Sequence, residues 1–241
     1  FYHSPPKGKL VITTDSHVVS PLFFPGGDIG SLSMHGTLND LAVMGAKPLY
    51  LTSAMILEEG FAFRDLEKIV LSMAQVQNQS GVPIVTGDTK VVERGKCDGI
   101  YITTTGVGVL PTERQELHPR RIAVGDHILV NGTLGDHGVA IMASRFDLKF
   151  ANPLLSDSCS LHFLIEGLLQ KFSNIKYMQD PTRGGVAGTL NEIVESTGHS
   201  MLLFEDKLPI RPPVRGACEI LGLDPLNVAN EGKVILFVPP S

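Results

Sequence analysis

Four aspartates carry the first chemical suggestion in this sequence. Asp15 follows the run VITT, Asp40 interrupts the otherwise apolar TLNDLAVMG, Asp88 follows IVTG, and Asp180 follows KYMQ. Three of the four read as caps at the ends of β-runs, where ligands of α/β proteins collect. Any one of them alone would also serve as a helix cap or turn residue. Asp40 resists that reading, because a carboxylate inside an apolar helix is costly unless something cationic meets it. Magnesium accepts carboxylates from separate segments, keeps waters and bridges phosphate oxygens. Asp15, Asp40 and Asp88 are a candidate set for it.

The stretch IVTGDTKVVERG breaks a β-branched run with Gly87, Asp88, Thr89 and Lys90. It reads either as a turn between strands or as a carboxylate, a hydroxyl and an ammonium gathered for a metal and a phosphate. DPTRGGVAGTLNEIV adds complementary charge: Pro181 suits a first helical turn, Gly184, Gly185 and Gly188 allow close backbone approach, and the helix they open aims amides at an anion. Arg183 would add a fork of donors. NGTLGDHGVAI, with Asp136 and His137, and VANEGKVILFV, with Asn230, Glu231 and Lys233, read equally as turns or as sites. His17 and His35 read as structural. The phosphate signatures G-x-x-x-x-G-K-[ST] and G-x-G-x-x-G are absent, as are H-E-x-x-H and G-x-S-x-G.

These residues need a frame. The 241-residue chain is 43% hydrophobic and 19% charged, without tryptophan, which reads as a soluble globular protein of one large or two ordinary domains. No apolar run is long enough to span a membrane, and the net charge of −5 leaves no electrostatic footprint for nucleic acid. Cys97, Cys159 and Cys218 form no C-x-x-C pair, which argues against a disulfide scaffold or structural zinc and for the reducing cytoplasm. Strands are expected at Lys9 to Thr14, Pro48 to Leu57, Val82 to Thr86, Gly99 to Leu110, His127 to Asn131, Ile175 to Met178, Met201 to Phe204 and Val234 to Val238. Helices are expected around Ser31 to Met44, Asp65 to Asn78, Gly138 to Arg145, Leu161 to Phe172 and Gly185 to Ser196. Leu66, Ile69, Val70 and Met73 mark one face of the second, and Gly81 stops it. The pattern is mixed α/β or α+β. The polar stretch Pro111 to Gly125 is the linker candidate.

Read in order, TTDSHVVSPLFFPGGDIG, HGTLNDLAVMGAKPLYL, ILEEGF, IVTGDTKVVERGK, GTLGDHG, DPTRGG, LPIRPPV and LGLDPLNVANEGK resemble the HypE family, the carbamoyl dehydratases of nickel–iron hydrogenase maturation. That family belongs to the PurM-like superfamily of aminoimidazole ribonucleotide synthetase. The resemblance spans nearly the whole chain and implies an α+β, two-domain fold. Residues 1–115 would form an N-terminal α/β domain whose strands pair across a homodimer into a barrel. Residues 116–241 would form a C-terminal α+β domain, truncated at its end, with ATP between the two. The implied reaction is ATP-dependent dehydration of a thiocarboxamide on a C-terminal cysteine to a thiocyanate. The carbamoyltransferase HypF would supply the carbamoyl group, and iron on a HypC–HypD scaffold would receive the cyanide.

The resemblance also implies roles. Asp15, Asp40 and Asp88 match the magnesium and phosphate positions, with Asn39 and Thr89 beside them. Lys90 would meet transferring phosphate oxygens. Asp180, Thr182, Arg183 and Gly184 would line the nucleotide pocket, and Glu231 would remove the amide protons, with Lys90 as the other candidate proton carrier. The family's acidic segment upstream of the first strand and its terminal cysteine are not found; the chain runs from Phe1 to Ser241, and native residues are expected beyond both ends. Cys218 reads as a buried helical cysteine. Selenophosphate synthetase, thiamine phosphate kinase and a nucleotide-binding scaffold without turnover are the alternatives.

Overall fold

A computed structural model describes residues 7–150 and 154–240; residues 1–3 and 241, on which the expectation of further native residues rests, lie outside them. Strand β1 (Gly8–His17) is followed by a tight pair, β2 (Phe23–Phe24) and β3 (Gly27–Asp28), then helix α1 (Ile29–Val43), strand β4 (Lys47–Glu58), helix α2 (Phe63–Ser80) and strands β5 (Ile84–Val92) and β6 (Ile100–Pro111). The long strands form one sheet in the order β1-β6-β4-β5, antiparallel except for the β4–β5 pair. Its two edges are therefore β1 and β5.

Helix α1 starts at Asp28, whose Oδ1 accepts the amides of Gly30 and Ser31 while the Ser31 hydroxyl accepts the Asp28 amide. The helix is apolar on nearly every side, which suits only an element covered on several sides. Ile29, Met34 and Leu38 join Leu51, Ile100 and Ile102 of the sheet and Ile69 and Met73 of α2 in one core. Ala42 and Val43 pack instead on the C-terminal half. Helix α2 buries Ile69, Met73, Val76 and Ser80, packs Leu66 partly against the core and, against the expectation, leaves Val70 exposed; it ends at Gly81.

The C-terminal half contains β7 (His127–Val130), α3 (Asp136–Arg145), α4 (His162–Lys171), β8 (Tyr177–Gln179), α5 (Gly185–Thr197), α6 (Pro212–Leu221) and β9 (Ile235–Val238). Its sheet is antiparallel in the order β7-β9-β8. Val186, Leu190 and Ile193 of α5 pack with Ile235 and Phe237, whereas Leu161 and Ile165 pack with Met178 and Leu236 and with α1. Segregated helices on largely antiparallel sheets make this an α+β fold.

Several sequence expectations need correction. IVTGDTKVV is one unbroken strand and not a turn, because Gly87 is there for close approach: a Cβ at that position would overlap the carbonyl oxygen of Ser53 on β4. Asp15 and Asp88 accordingly lie inside strands, and only Asp180 caps one. Met201 to Phe204 alternates inward and outward like a strand but has no ladder partner. Helix α6 escaped notice because Pro212 and Pro213 look like breakers, yet proline is well suited to a helix's first turn. Pro181, in contrast, precedes α5 by four residues.

Candidate functional site

Asp15, Asp40, Asp180 and Glu231 lie within electrostatic reach of one another where β1 and α1 face the end of β8 and the loop 230–233 before β9. Asp15 comes from the inner face of edge strand β1; its Oδ1 accepts the Ser16 amide at 2.8 Å and its Oδ2 lies 3.2 Å from His17 Nε2. Asp40 projects from the last turn of α1, and Thr13 Oγ1 donates to its Oδ2 at 2.8 Å. The partner is thus a neutral hydroxyl, and among the described residues no lysine or arginine pairs with Asp40. Burial pushes the Asp40 carboxyl up, opposed by the Thr13 hydrogen bond and reinforced by the charge of Asp15.

The other two members are perturbed further. Burial, then the charges of Asp40 and Asp15, push Asp180 up to about 7. Burial, followed by Asp180, Asp157, Asp15 and Asp40, pushes Glu231 up to about 8. Such a crowd of carboxyl groups holds protons at neutral pH unless a cation enters.

Asn39 sits beside the cluster, 2% exposed, with its amide fully engaged. Its Nδ2 donates to the carbonyls of Cys159 at 3.0 Å and Glu231 at 3.2 Å, and its Oδ1 accepts the Leu161 amide at 2.7 Å. It therefore holds the protein's own backbone around Glu231. Thr182, Arg183 and Gly184 lie between β8 and α5. Arg183 and Gly184 are exposed, and α5 begins without a side-chain cap; the Gly185 amide donates to the Thr182 carbonyl at 3.2 Å, which leaves the Val186 and Ala187 amides as the first-turn donors an anion could use.

Asp88, Thr89 and Lys90 are not in this cluster. They lie on exposed β5, the opposite edge of the sheet from β1. Asp15, Thr104, Ser53 and Gly87 form one row across the inner face, so Asp88 and Lys90, offset by one and three residues, project from the outer face. Thr89 faces inward and lines a cleft of about 460 Å³ with Ser53, Met55, Met73, Gln77 and Gly87. Asp136 and His137 are explained by packing: Arg211 reaches Asp136 Oδ1 at 2.6 Å, and His137 Nδ1 meets Ser156 Oγ at 2.8 Å. His35 Nδ1 meets Ser158 Oγ at 2.9 Å. Cys218 is buried in α6. Asp157, which bonds the Glu231 amide at 3.1 Å, was missed; LLSDSCS has no period or motif that marks it.

Residues 2–110 match the model of the AIR synthase related protein N-terminal domain, and residues 123–241 that of its C-terminal domain. The chain is 55% identical over 234 residues to the carbamoyl dehydratase HypE of Bradyrhizobium diazoefficiens, covering 97% of this chain and 67% of that protein. The chain belongs to the HypE family of hydrogenase-maturation carbamoyl dehydratases. It spans about two thirds of that relative's length. Among solved structures, HypE in complex with ATP superimposes with a TM-score of 0.95 at 46% identity, covering 98% of this chain and 70% of that one. The structure of a HypE–HypF complex gives 0.92 at 50% identity, covering 95% and 75%. The acidic cluster and the Glu231 loop thus belong to a HypE-type scaffold.

Proposed function

We propose that this protein binds ATP with magnesium and dehydrates a thiocarboxamide, carried on a C-terminal cysteine, to a thiocyanate that supplies cyanide for the nickel–iron centre. The observation that carries the reading is the crowd of carboxyl groups, with Glu231 held near 8 beside Asp180 at about 7, on a HypE-type scaffold. The hard oxygen donors of Asp15 and Asp40 fit magnesium in kind, and their mutual repulsion is what a cation would relieve. Among the described residues, no three such side chains converge on one ion, so the set within one chain is incomplete. Bound magnesium would neutralise phosphate charge during transfer.

A homodimer completes it. The sheet's edges, β1 and β5, have no outer neighbours among the described strands, and its outer face exposes Leu10, Ile12 and Ile56. Closing two such sheets edge to edge into a barrel, β5 of one protomer along β1 of its partner, removes both edges and covers that face. It sets β5 of one protomer along β1 of its partner, with Thr89 on the face that carries Asp15 and Asp88 and Lys90 on the other, so Lys90 must reach round the strand edge to that site. Lys90 would then meet the transferring phosphate, Arg183 and the α5 amides would hold the nucleotide's anionic end, and Glu231 would take the amide protons.

Phosphorylating the amide oxygen turns a poor leaving group into phosphate; loss of that phosphate with the remaining nitrogen proton leaves the nitrile. The ATP and HypF named with the solved relatives support ATP as cofactor and a HypF-type carbamoyltransferase as partner. HypC–HypD as acceptor, a cytoplasmic location and a division at 115/116 belong to the same reading; the family matches, which leave 111–122 between them, support the last. The test is mass spectrometry of the carbamoylated full-length protein. Loss of one water mass from the terminal cysteine adduct on adding ATP is the expected result, and an unchanged mass with ATP overturns the function.

A further inference from the structure

The loop that carries Glu231 is held from a side the reaction itself does not explain. Asp157 lies in the strap between α3 and α4 and faces the loop twice. Its Oδ1 accepts the Glu231 amide at 3.1 Å, and its Oδ2 lies 2.7 Å from Lys233 Nζ. The second contact is charge pairing without hydrogen-bond alignment. Both side chains are buried, at 7% exposure for Asp157 and 10% for Lys233. The strap passes so close that a Cβ on Gly232, between the two held residues, would overlap the Asp157 carbonyl oxygen. Asn39 grips the carbonyl of Glu231 from the other side.

A buried ion pair contributes little net stability against an apolar replacement, so stability alone gives no reason to keep one beside a catalytic loop. What Asp157 adds is direction. One carboxylate fixes the backbone just before the Glu231 side chain and the side chain two residues after it.

We propose that Asp157 and Lys233 are positioning residues for Glu231: the carboxylate fixes the Glu231 backbone through its amide, and the lysine, paired with that carboxylate, holds it in orientation. The proposal rests on the base role assigned to Glu231. Breaking the pair on one side strands a buried charge and risks the fold, so the test compares two neutral double variants. Asp157→Asn with Lys233→Met keeps an acceptor for the Glu231 amide. Asp157→Val with Lys233→Met removes it at similar volume.

With carbamoylated full-length protein and ATP, the Val variant is expected to lose roughly a hundredfold in kcat at little-changed KM for ATP, the scale of a misplaced catalytic group. The Asn variant is expected to recover most of that loss. Because both variants remove the Asp157 charge, the pH limb of Glu231 should move to lower pH in both. Equal kcat in the two doubles, or a Val defect confined to KM, overturns the positioning role. Absence of ATP-dependent dehydration in the unsubstituted protein would instead overturn the proposed function.

Discussion

A carboxyl group raised to about 8 holds its proton at neutral pH, so the base role proposed for Glu231 requires positive charge to enter the cluster. The sequence spacing showed that Asp40 sits in an apolar helix, and the structure shows that it shares its burial with Asp15, Asp180 and Glu231 rather than with a cation. Glu231→Gln should reduce dehydration by about a hundred- to ten-thousandfold while ATP affinity, measured by titration calorimetry, stays within a few fold. The same groups set a stability profile. Asp180 and Glu231 have folded values raised to about 7 and 8, so the relative stability present at low pH is lost as pH rises through those values. His35 and His137 are held by burial at about 4, so their contribution is present above 6.5 and lost as pH falls toward 4. Between about pH 4 and 6 the two sets offset each other, so the melting temperature of the nucleotide-free protein should be nearly flat there and fall as pH rises from about 6 to 8. Added magnesium and ATP should flatten the alkaline side; a profile that keeps rising to pH 9 contradicts these assignments.

Helix α1 is the element on which everything turns, since it carries Asp40 and Asn39 and packs on both sheets. Leu38, fully buried against β4 and β6, should cost about 2–5 kcal/mol when changed to Ala, read from denaturant unfolding. The α2 face apart from Val70, the apolar runs of β4 and β6 and the α5 start at Gly185 were legible because local composition marks each of them. What was not legible depends on neighbours. Gly87 reads as a turn until β4 is seen pressed against it. Met201 to Phe204 has a strand's alternation without a strand's partner. Asp157 has its role only through residues more than seventy positions away.

At the scale of the whole molecule, the separation of Asp88 and Lys90 from Asp15 is the feature a single chain leaves unresolved and the proposed closed pair of sheets addresses by bringing β5 of one protomer to β1 of the other. If sites are shared, Lys90→Met and Glu231→Gln proteins, each inactive, should regain partial activity when subunits are mixed and allowed to exchange, because one site of each mixed dimer is intact. Two inactive parents that stay inactive on mixing would place both residues in the same protomer's site. The chemistry itself is read most directly by the fate of one oxygen. With the carbamoyl oxygen carrying a heavy isotope, single turnover with ATP should deliver that isotope into inorganic phosphate, because the amide oxygen leaves bonded to phosphorus. Recovery of the isotope in water, with unlabelled phosphate, would contradict dehydration through a phosphorylated amide.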